Sequence, residues 1–564
     1  LSYDLIIRNG TVIDGSGMPR FRADVGVTDG KISKIGKIWE TAEREIDAEG
    51  HFVTPGFIDG HTHLDAQACW DPMAGSDPWH GVTTAVIGNC SFSIAPCKEE
   101  DQDLVFRSLE RSEDVPRTAL LAGVKWQWES FGQYMGALDH HPQGINLAPL
   151  VGHSALRTYV MGERAFEEEA NAEDLETMCA ELKSAMEAGA FGFSSSRRTA
   201  HLTSDNRPIA ARQSSWDELY ALGRTVGQAG GGVIQGLGGS TPQEGEDVVR
   251  ANLRKLASES GCLLLESGIR NSDVERLPYW AESTAQGARM IGFVRPKRFE
   301  LVIGFRVKLP FDTLESWKPV RALPIEEQKK IFADPEKRAA LVHDAMTIPS
   351  GSLTGAEARP PNYETMYLMT DLLGEKVTVA QLAKERGTTP VDVMIDLAFD
   401  TDFQQLYSQP DDDLTELSDE AIVTMLKHSN TVMAGSDVGA HTTQCLDADF
   451  PTTLLGRWVR QRQAFTWEEA VRMLTFEPGS VWNIPDRGLL REGAVADIVI
   501  FDPETVGPGT PFVDYCLPDG GGQIRSRSNG IHSVIVGGEE ILRDNETTGA
   551  TPGKILRSGT AKAA

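Results

Sequence analysis

Two histidines one residue apart, His61 and His63, sit near the end of the run PGFIDGHTHLD at 55–65. At the end of a β-strand, residues two apart face the same way, so both imidazoles would point together. Neutral imidazole is a common ligand of zinc and related ions. Far along the chain, GSDVGAH at 435–441 places Asp437 at the end of another apolar run. A carboxylate there could hold the same ion. It could also take a proton from ion-activated water, whose pKa falls to about 7. Cys90 ends a third run, GNCS at 88–91, and reads as a thiolate ligand, a nucleophile or a small buried residue. Each element alone has an ordinary explanation: a polar strand end, a turn or N-cap carboxylate, an inert thiol. Together, the two histidines and Asp437 read as one metal position.

Side chains so distant in sequence meet only if a repeating fold brings strand ends to one place. From about 57 to 480, short apolar runs ending in polar or glycine-rich residues alternate with long helical patterns. The runs begin at 56, 83, 146, 189, 231, 261, 403 and 431, with FQQLYS at 403–408 taken as the seventh strand. Segments such as NAEDLETMCAELKSAMEAG at 171–189, with an Asn cap and a Gly stop, supply the helices. The alternation implies a parallel sheet, and eight repeats imply an α/β chain folded as a (β/α)8 TIM barrel over 57–479. Its active site would lie at the mouth where the strands end. Segments 1–56 and 480–550 read as hairpin-rich strands, with Asp29-Gly30 a strong turn signal, and imply one small composite β-sandwich. Residues 551–564 read as an extended tail. The locally basic stretch at about 286–345 reads as an insertion between strands six and seven, either over the active site or a surface excursion.

Other candidates are read from position alone. His153, after the third strand, could polarise a substrate carbonyl or orient a ligand, or be a hydrogen-bonded structural histidine. Arg197, Arg198 and His201, in SSSRRTAHLTSDNRP at 194–208, could bind a substrate carboxylate. His441 could support Asp437 from behind. The formal net charge of −28 over 564 residues argues against a nucleic-acid or anionic-membrane surface. Seven scattered cysteines are not a disulfide framework, so a reducing, cytoplasmic setting is expected. The N-terminal LSYDLIIRNG lacks signal-peptide character, and no apolar run approaches membrane-spanning length. Glycine-rich GLGGS at 236–240 has neither P-loop nor Rossmann spacing, and no G-x-S-x-G elbow occurs.

The order of HTH after PGFID, GNC, VGHSALRTYVMG, GAFGFSSS, GSDVGAH and ADIVIFDP resembles the N-acyl-D-amino-acid deacylases (D-aminoacylases) of the metal-dependent amidohydrolase superfamily, over nearly the whole chain. The resemblance implies a (β/α)8 barrel, a β-sandwich from both ends and zinc-dependent amide hydrolysis. It matches His61, His63 and Asp437 to one metal position, and Cys90 to the cysteine of a second, tighter one. Two departures follow. Where the family has ligand histidines after strands five and six, this sequence reads VIQGLGG with Gln235 and LLLESG with Glu266. Glutamine is a poor zinc ligand, so Gln235 could at most touch substrate, while Glu266 could offer an oxygen to a metal or a polar group to substrate. The expectation is one divalent ion per chain, Zn2+ by preference, on His61, His63 and Asp437 with Cys90 as a fourth ligand. The expected substrate is a small N-acyl amino acid or related amide, with Asp437 as general base and acid and with homo-oligomerisation left open. The alternatives are a cysteine amidase using Cys90 and a barrel that lost catalysis with its second metal site.

Overall fold

The computed structural model describes residues 3–237, 244–267, 271–349, 360–410 and 418–559. The fold is α/β. Eight short parallel strands carry the site: β1 (Phe57–Asp59), β2 (Val82–Ile87), β3 (Asn146–Pro149, resumed by Val151–Gly152), β4 (Gly192–Ser195), β5 (Val233–Gly236), β6 (Leu263–Ser267), β7 (Met290–Val294) and β8 (Thr431–Met433). The first three pair in order, and the second part of β3 begins a parallel run through β4, β5, β6 and β7 to β8. Leu150, where β3 breaks, still donates its N–H to Ile87 O at 2.9 Å. Just past β8, Asp437 N donates to His61 O at 3.1 Å and His63 N donates to Val438 O at 2.7 Å, so the last strand's continuation pairs with that of the first. One buried cluster collects Ile58, Val86, Ala148, Leu150, Phe191, Val233, Leu265, Phe293 and Val432, from on or beside every strand. Strands buried on both faces need such near-continuous apolar runs, and β2 is buried throughout.

The intervening helices follow their sequence signals. Asn171 accepts from Glu173 N and Asp174 N to start Ala172–Ala188, and Gly189 at φ 113° ends it. Ser418 likewise caps Asp419–Leu426 through Ala421 N.

The expected seventh strand is corrected. Met290–Val294 pairs with β6 on one side and β8 on the other, whereas Leu406–Pro410 runs antiparallel to Glu300–Gly304. The inserted segment therefore follows β7 and lies between the seventh and eighth strands, not between the sixth and seventh. It has its own core, including Phe305, Trp317, Phe332 and Tyr407. The basic residues around MIGFVRPKR mask a strand whose apolar stretch is only five residues long.

Strands from both chain ends join in one nine-stranded mixed sheet. Tyr3–Val12 carries Ala42–Asp47 along its first half and Phe52–Pro55 along its second, and pairs on its other side with Phe21–Thr28 through a register shift between Ile7 and Gly10. Val53 opposite Ile500 ties the N-terminal strands to the C-terminal ones. Asp29 and Gly30, at φ 50° and 69°, make the expected tight hairpin. The tail is extended but docked: Leu147 N donates to Lys554 O at 2.9 Å, Leu556 N donates to Leu147 O at 2.7 Å, and Ile555 and Leu556 are buried. Residues 560–564 lie outside the described part.

Candidate metal centre

The HxH pair leaves β1 as the chain crosses to bond β2 and the segment after β8. Asp59 fixes this crossing: its buried carboxylate accepts from His61 N at 3.0 Å, Gly435 N at 3.2 Å and Ser436 N at 3.2 Å. One side chain thus aligns the strand carrying the histidines with the one carrying Asp437. Gly439, at φ 96°, lets the second segment press against the first; a Cβ there would lie 2.3 Å from His63 O. Cys90, Ser91, Asp437 and His441 have φ of 53°, 78°, 53° and 47°. Non-glycine residues held in this region mark backbone constrained by its surroundings, as functional sites often are.

His61, His63 and Cys90 bring one ligand atom each to within 4.8 Å of one another. His61 Nε2 lies 3.5 Å from Cys90 Sγ and 3.1 Å from Asp437 Oδ1, and His63 Nε2 lies 3.7 Å from the same oxygen. Tetrahedral zinc with bonds of about 2.1 Å to nitrogen or oxygen and about 2.3 Å to sulfur has ligand–ligand edges of about 3.3–3.6 Å. The donor types and spacings therefore fit a divalent ion of that kind. Burial disfavours charge on the isolated groups, but mutual attraction outweighs it. The Cys90 thiolate and Asp437 raise His61 to about 10, and His61 with His63 bring the Cys90 thiol down to about 6. Burial likewise opposes charge on Asp437, yet Arg295 and the two histidines hold its carboxyl well below the usual range.

Three residues of this centre have little signal in the sequence. Arg295, just past β7, pairs with Asp437 through Nη2 and with Asp447 through Nη1 at 2.8 Å. It was assigned to the inserted segment because β7 was. Gln235 was expected only to mark a lost ligand or touch substrate. Instead its Oε1 accepts from Cys90 N at 3.0 Å and its Nε2 lies 3.1 Å from His61 Nδ1, so it holds two ligands in place. Glu113, one residue past the helix Gln102–Ser112, lies with Oε2 3.6 Å from His63 Nε2. Burial, with Asp437 nearby, raises it to about 7 against the charges of His441, His61 and Arg198. No motif surrounds it; ERSEDVP reads as a helix end.

The remaining candidates divide. His153 is fully buried, with Nδ1 2.8 Å from Ser195 Oγ and Nε2 2.7 Å from Glu218 Oε1, so both nitrogens are engaged away from the ligand cluster. Burial lowers its pKa despite Glu218. A role in polarising a carbonyl is thereby corrected to the structural one. Glu266 points to Arg276 Nη2 at 2.6 Å and Trp280 Nε1 at 2.7 Å, which removes it as a ligand or substrate group. Arg197 is also committed, to Glu244 at 2.7 Å and over the Trp216 ring at 4.7 Å. His201 is half-buried with Nδ1 2.8 Å from Ser196 Oγ; desolvation and then Arg198 push it well below its ordinary pKa. Arg198 is half-buried, and its guanidinium bonds to none of the described residues. Its charge reaches both Glu113 and His201. His441 donates its backbone N–H to Glu113 O at 2.5 Å. No helix of the described residues is long and apolar enough to cross a membrane.

The chain is 27% identical to a D-aminoacylase of Alcaligenes xylosoxydans xylosoxydans over 98% of its own length and 97% of the relative's. It is 28% identical to an N-acyl-D-glutamate deacylase of the same organism, covering 98% and 96%. The crystal structure of N-acyl-D-glutamate deacylase from Bordetella bronchiseptica, complexed with zinc and a phosphonate inhibitor, superposes with a TM-score of 0.64 at 24% identity. That match spans 99% of this chain and all of the other, and establishes likeness of fold. The model of the amidohydrolase family matches residues 44–273 and 331–515, so the chain belongs to the amidohydrolase family and is a hydrolase of carbon–nitrogen bonds other than peptide bonds.

Proposed function

We propose that the chain is a metal-dependent amidohydrolase that cleaves the amide of an N-acyl amino acid or related compound, using one divalent ion, Zn2+ by preference. The observation that carries this reading is the cluster of His61, His63 and Cys90, whose ligand atoms lie within 4.8 Å of one another, with Asp437 Oδ1 3.1 and 3.7 Å from the two imidazoles. We read β1–β8 as a closed (β/α)8 barrel, supported by the shared core and the bonds between the continuations of β1 and β8. The ligand atoms then stand at its C-terminal mouth. The sheet built from both chain ends is the accessory β-domain.

His61, His63, Asp437 and Cys90 would hold the ion, which would supply Lewis acidity and activate water near neutral pH. The protein's own groups do the rest. Arg295 keeps Asp437 ionised at neutral pH, so its carboxylate is ready to accept the proton of the attacking water and pass it to the leaving nitrogen. Gln235 holds the Cys90 and His61 orientations. Arg198 is the cation available for a substrate carboxylate, since Arg197 is engaged elsewhere. With Gln235 on Cys90 and His61, and Glu266 on Arg276 and Trp280, neither fills the place of a second ion's histidine, which supports one ion per chain.

A cysteine nucleophile fits less well. In such a relay the base uses one ring nitrogen for the nucleophile and the other for its orienting carboxylate. Here His61 Nε2 faces both Cys90 and Asp437. The test is a screen of N-acyl-D- and N-acyl-L-amino acids with zinc-loaded protein. Hydrolysis is expected, with loss on chelation, recovery on re-addition of zinc, and about 10²–10⁴-fold lower kcat in Asp437→Asn. Hydrolysis that persists after complete metal removal would refute the reading.

A further inference from the structure

The carboxylate of Glu113 stands in the centre with no assigned task. Its side chain is buried, with the residue 3% exposed, and accepts no hydrogen bond from any described residue. It is not there by slack packing. Its N–H donates to Leu109 O at 3.0 Å, ending the helix, and its carbonyl accepts the 2.5 Å bond from His441 N. The next residue, Asp114, turns at φ 49° and takes Thr443 Oγ1 at 2.9 Å, Gln444 Nε2 at 2.7 Å and Lys308 Nζ at 3.1 Å. Glu113 is therefore pinned to the loop that continues from Asp437.

Its distance to His63 carries the argument. Glu113 Oε2 and Asp437 Oδ1 flank His63 Nε2 at 3.6 and 3.7 Å. Both exceed the roughly 2.7–3.2 Å of an N–H···O hydrogen bond. Both are close to the roughly 3.3–3.4 Å edge between nitrogen and oxygen ligands of one zinc ion. Meanwhile Gln235 and Glu266 leave the side of β5 and β6 without imidazole. We infer that Glu113, entering from the loop after β2, is an additional oxygen ligand of the ion, joining His61, His63, Cys90 and Asp437 in place of the ligands missing after β5 and β6. This rests on the reading of the site as a metal centre.

The test reads coordination rather than activity. Wild-type and Glu113→Gln proteins are stripped, titrated with zinc against a competing chelator, and loaded with Co2+ for visible spectroscopy. Zinc is also located in wild-type crystals by anomalous scattering, which needs no variant. The expected results are zinc affinity lowered at least about tenfold in the variant, an altered cobalt d–d spectrum, and a Glu113 oxygen about 2.0–2.2 Å from zinc. An affinity loss with an unchanged cobalt spectrum, or a zinc bound in the crystal with Glu113 beyond about 3 Å, overturns the inference while sparing the metal centre. A wild-type chain that binds no zinc overturns both.

Discussion

Proton release on metal binding offers a sharp test of the centre's electrostatics. Without an ion, the Cys90 thiolate and Asp437 raise His61 to about 10 against the effect of burial. The ring is therefore protonated at neutral pH, and an ion at Nε2 must expel that proton. At roughly 1.36 kcal/mol per pH unit, expulsion at pH 7 costs about 4 kcal/mol. Apparent zinc affinity should climb no less than about tenfold per unit between about pH 7 and pH 8.5. Cys90, brought down to about 6, is already a thiolate in that range and adds no proton. Below about pH 6 its proton must leave too, as must that of Glu113, raised to about 7, and the slope should steepen to at least a hundredfold per unit. The assay is calorimetric titration of zinc into chelator-stripped protein, in buffers of differing ionisation enthalpy. At least one proton should be released near pH 7.5, and at least one more near pH 5.5. An affinity flat from pH 7 to 8.5, without proton release, would refute the charge assignment.

The sign for stability of the ion-free chain follows from the same two groups. The His61 contribution is present below its unfolded pKa of about 6.5 and lost as pH rises through about 10. The Cys90 contribution is present above its ordinary range and lost as pH falls through about 6. Four substitutions extend the test. Gln235→Glu replaces the amide nitrogen beside His61 Nδ1 with an acceptor for an Nδ1 proton, leaving Nε2 free for the ion. Zinc affinity should rise about tenfold in chelator competition, and a fall would contradict this orientation. Glu266→Gln should retain full zinc occupancy, whereas Arg276→Ala, leaving the Glu266 charge buried, should lower stability in denaturant melts by about 3–5 kcal/mol. Metal loss in Glu266→Gln would restore Glu266 as a ligand. Gly439→Ala, at φ 96° against His63 O, should cost about 1–3 kcal/mol and weaken zinc binding by moving the Asp437 segment off the histidines. An unchanged melting temperature and zinc affinity would show that this contact yields freely.

Local pattern was most informative where a motif sat at a strand end. HTH and GSD lie on segments whose alternation and apolar runs are visible without a structure, and period two sets which side chains share a face. The helix from Asn171 to Gly189 and the hairpin at Asp29-Gly30 were legible because cap and turn chemistry act within a few residues. β7 was obscured because five apolar residues followed by a basic run resemble a surface excursion, while FQQLYS, which does form a strand, pairs in the inserted segment.

Partners chosen across space carry no such signature. His153 and Glu266 have the residue type and position of site groups, yet each turns to a buried partner, Glu218 or Arg276, that no local pattern announces. Glu113 and Arg295 are the reverse: unmarked in sequence, they are delivered to His63 and to Asp437 by a helix end and by β7. Sequence alone established which atoms could bind an ion, because ligand chemistry belongs to residue type and spacing along one strand. Only the fold decided which of them do so together, because burial leaves a charged side chain with whatever counter-charge the packing brings within reach.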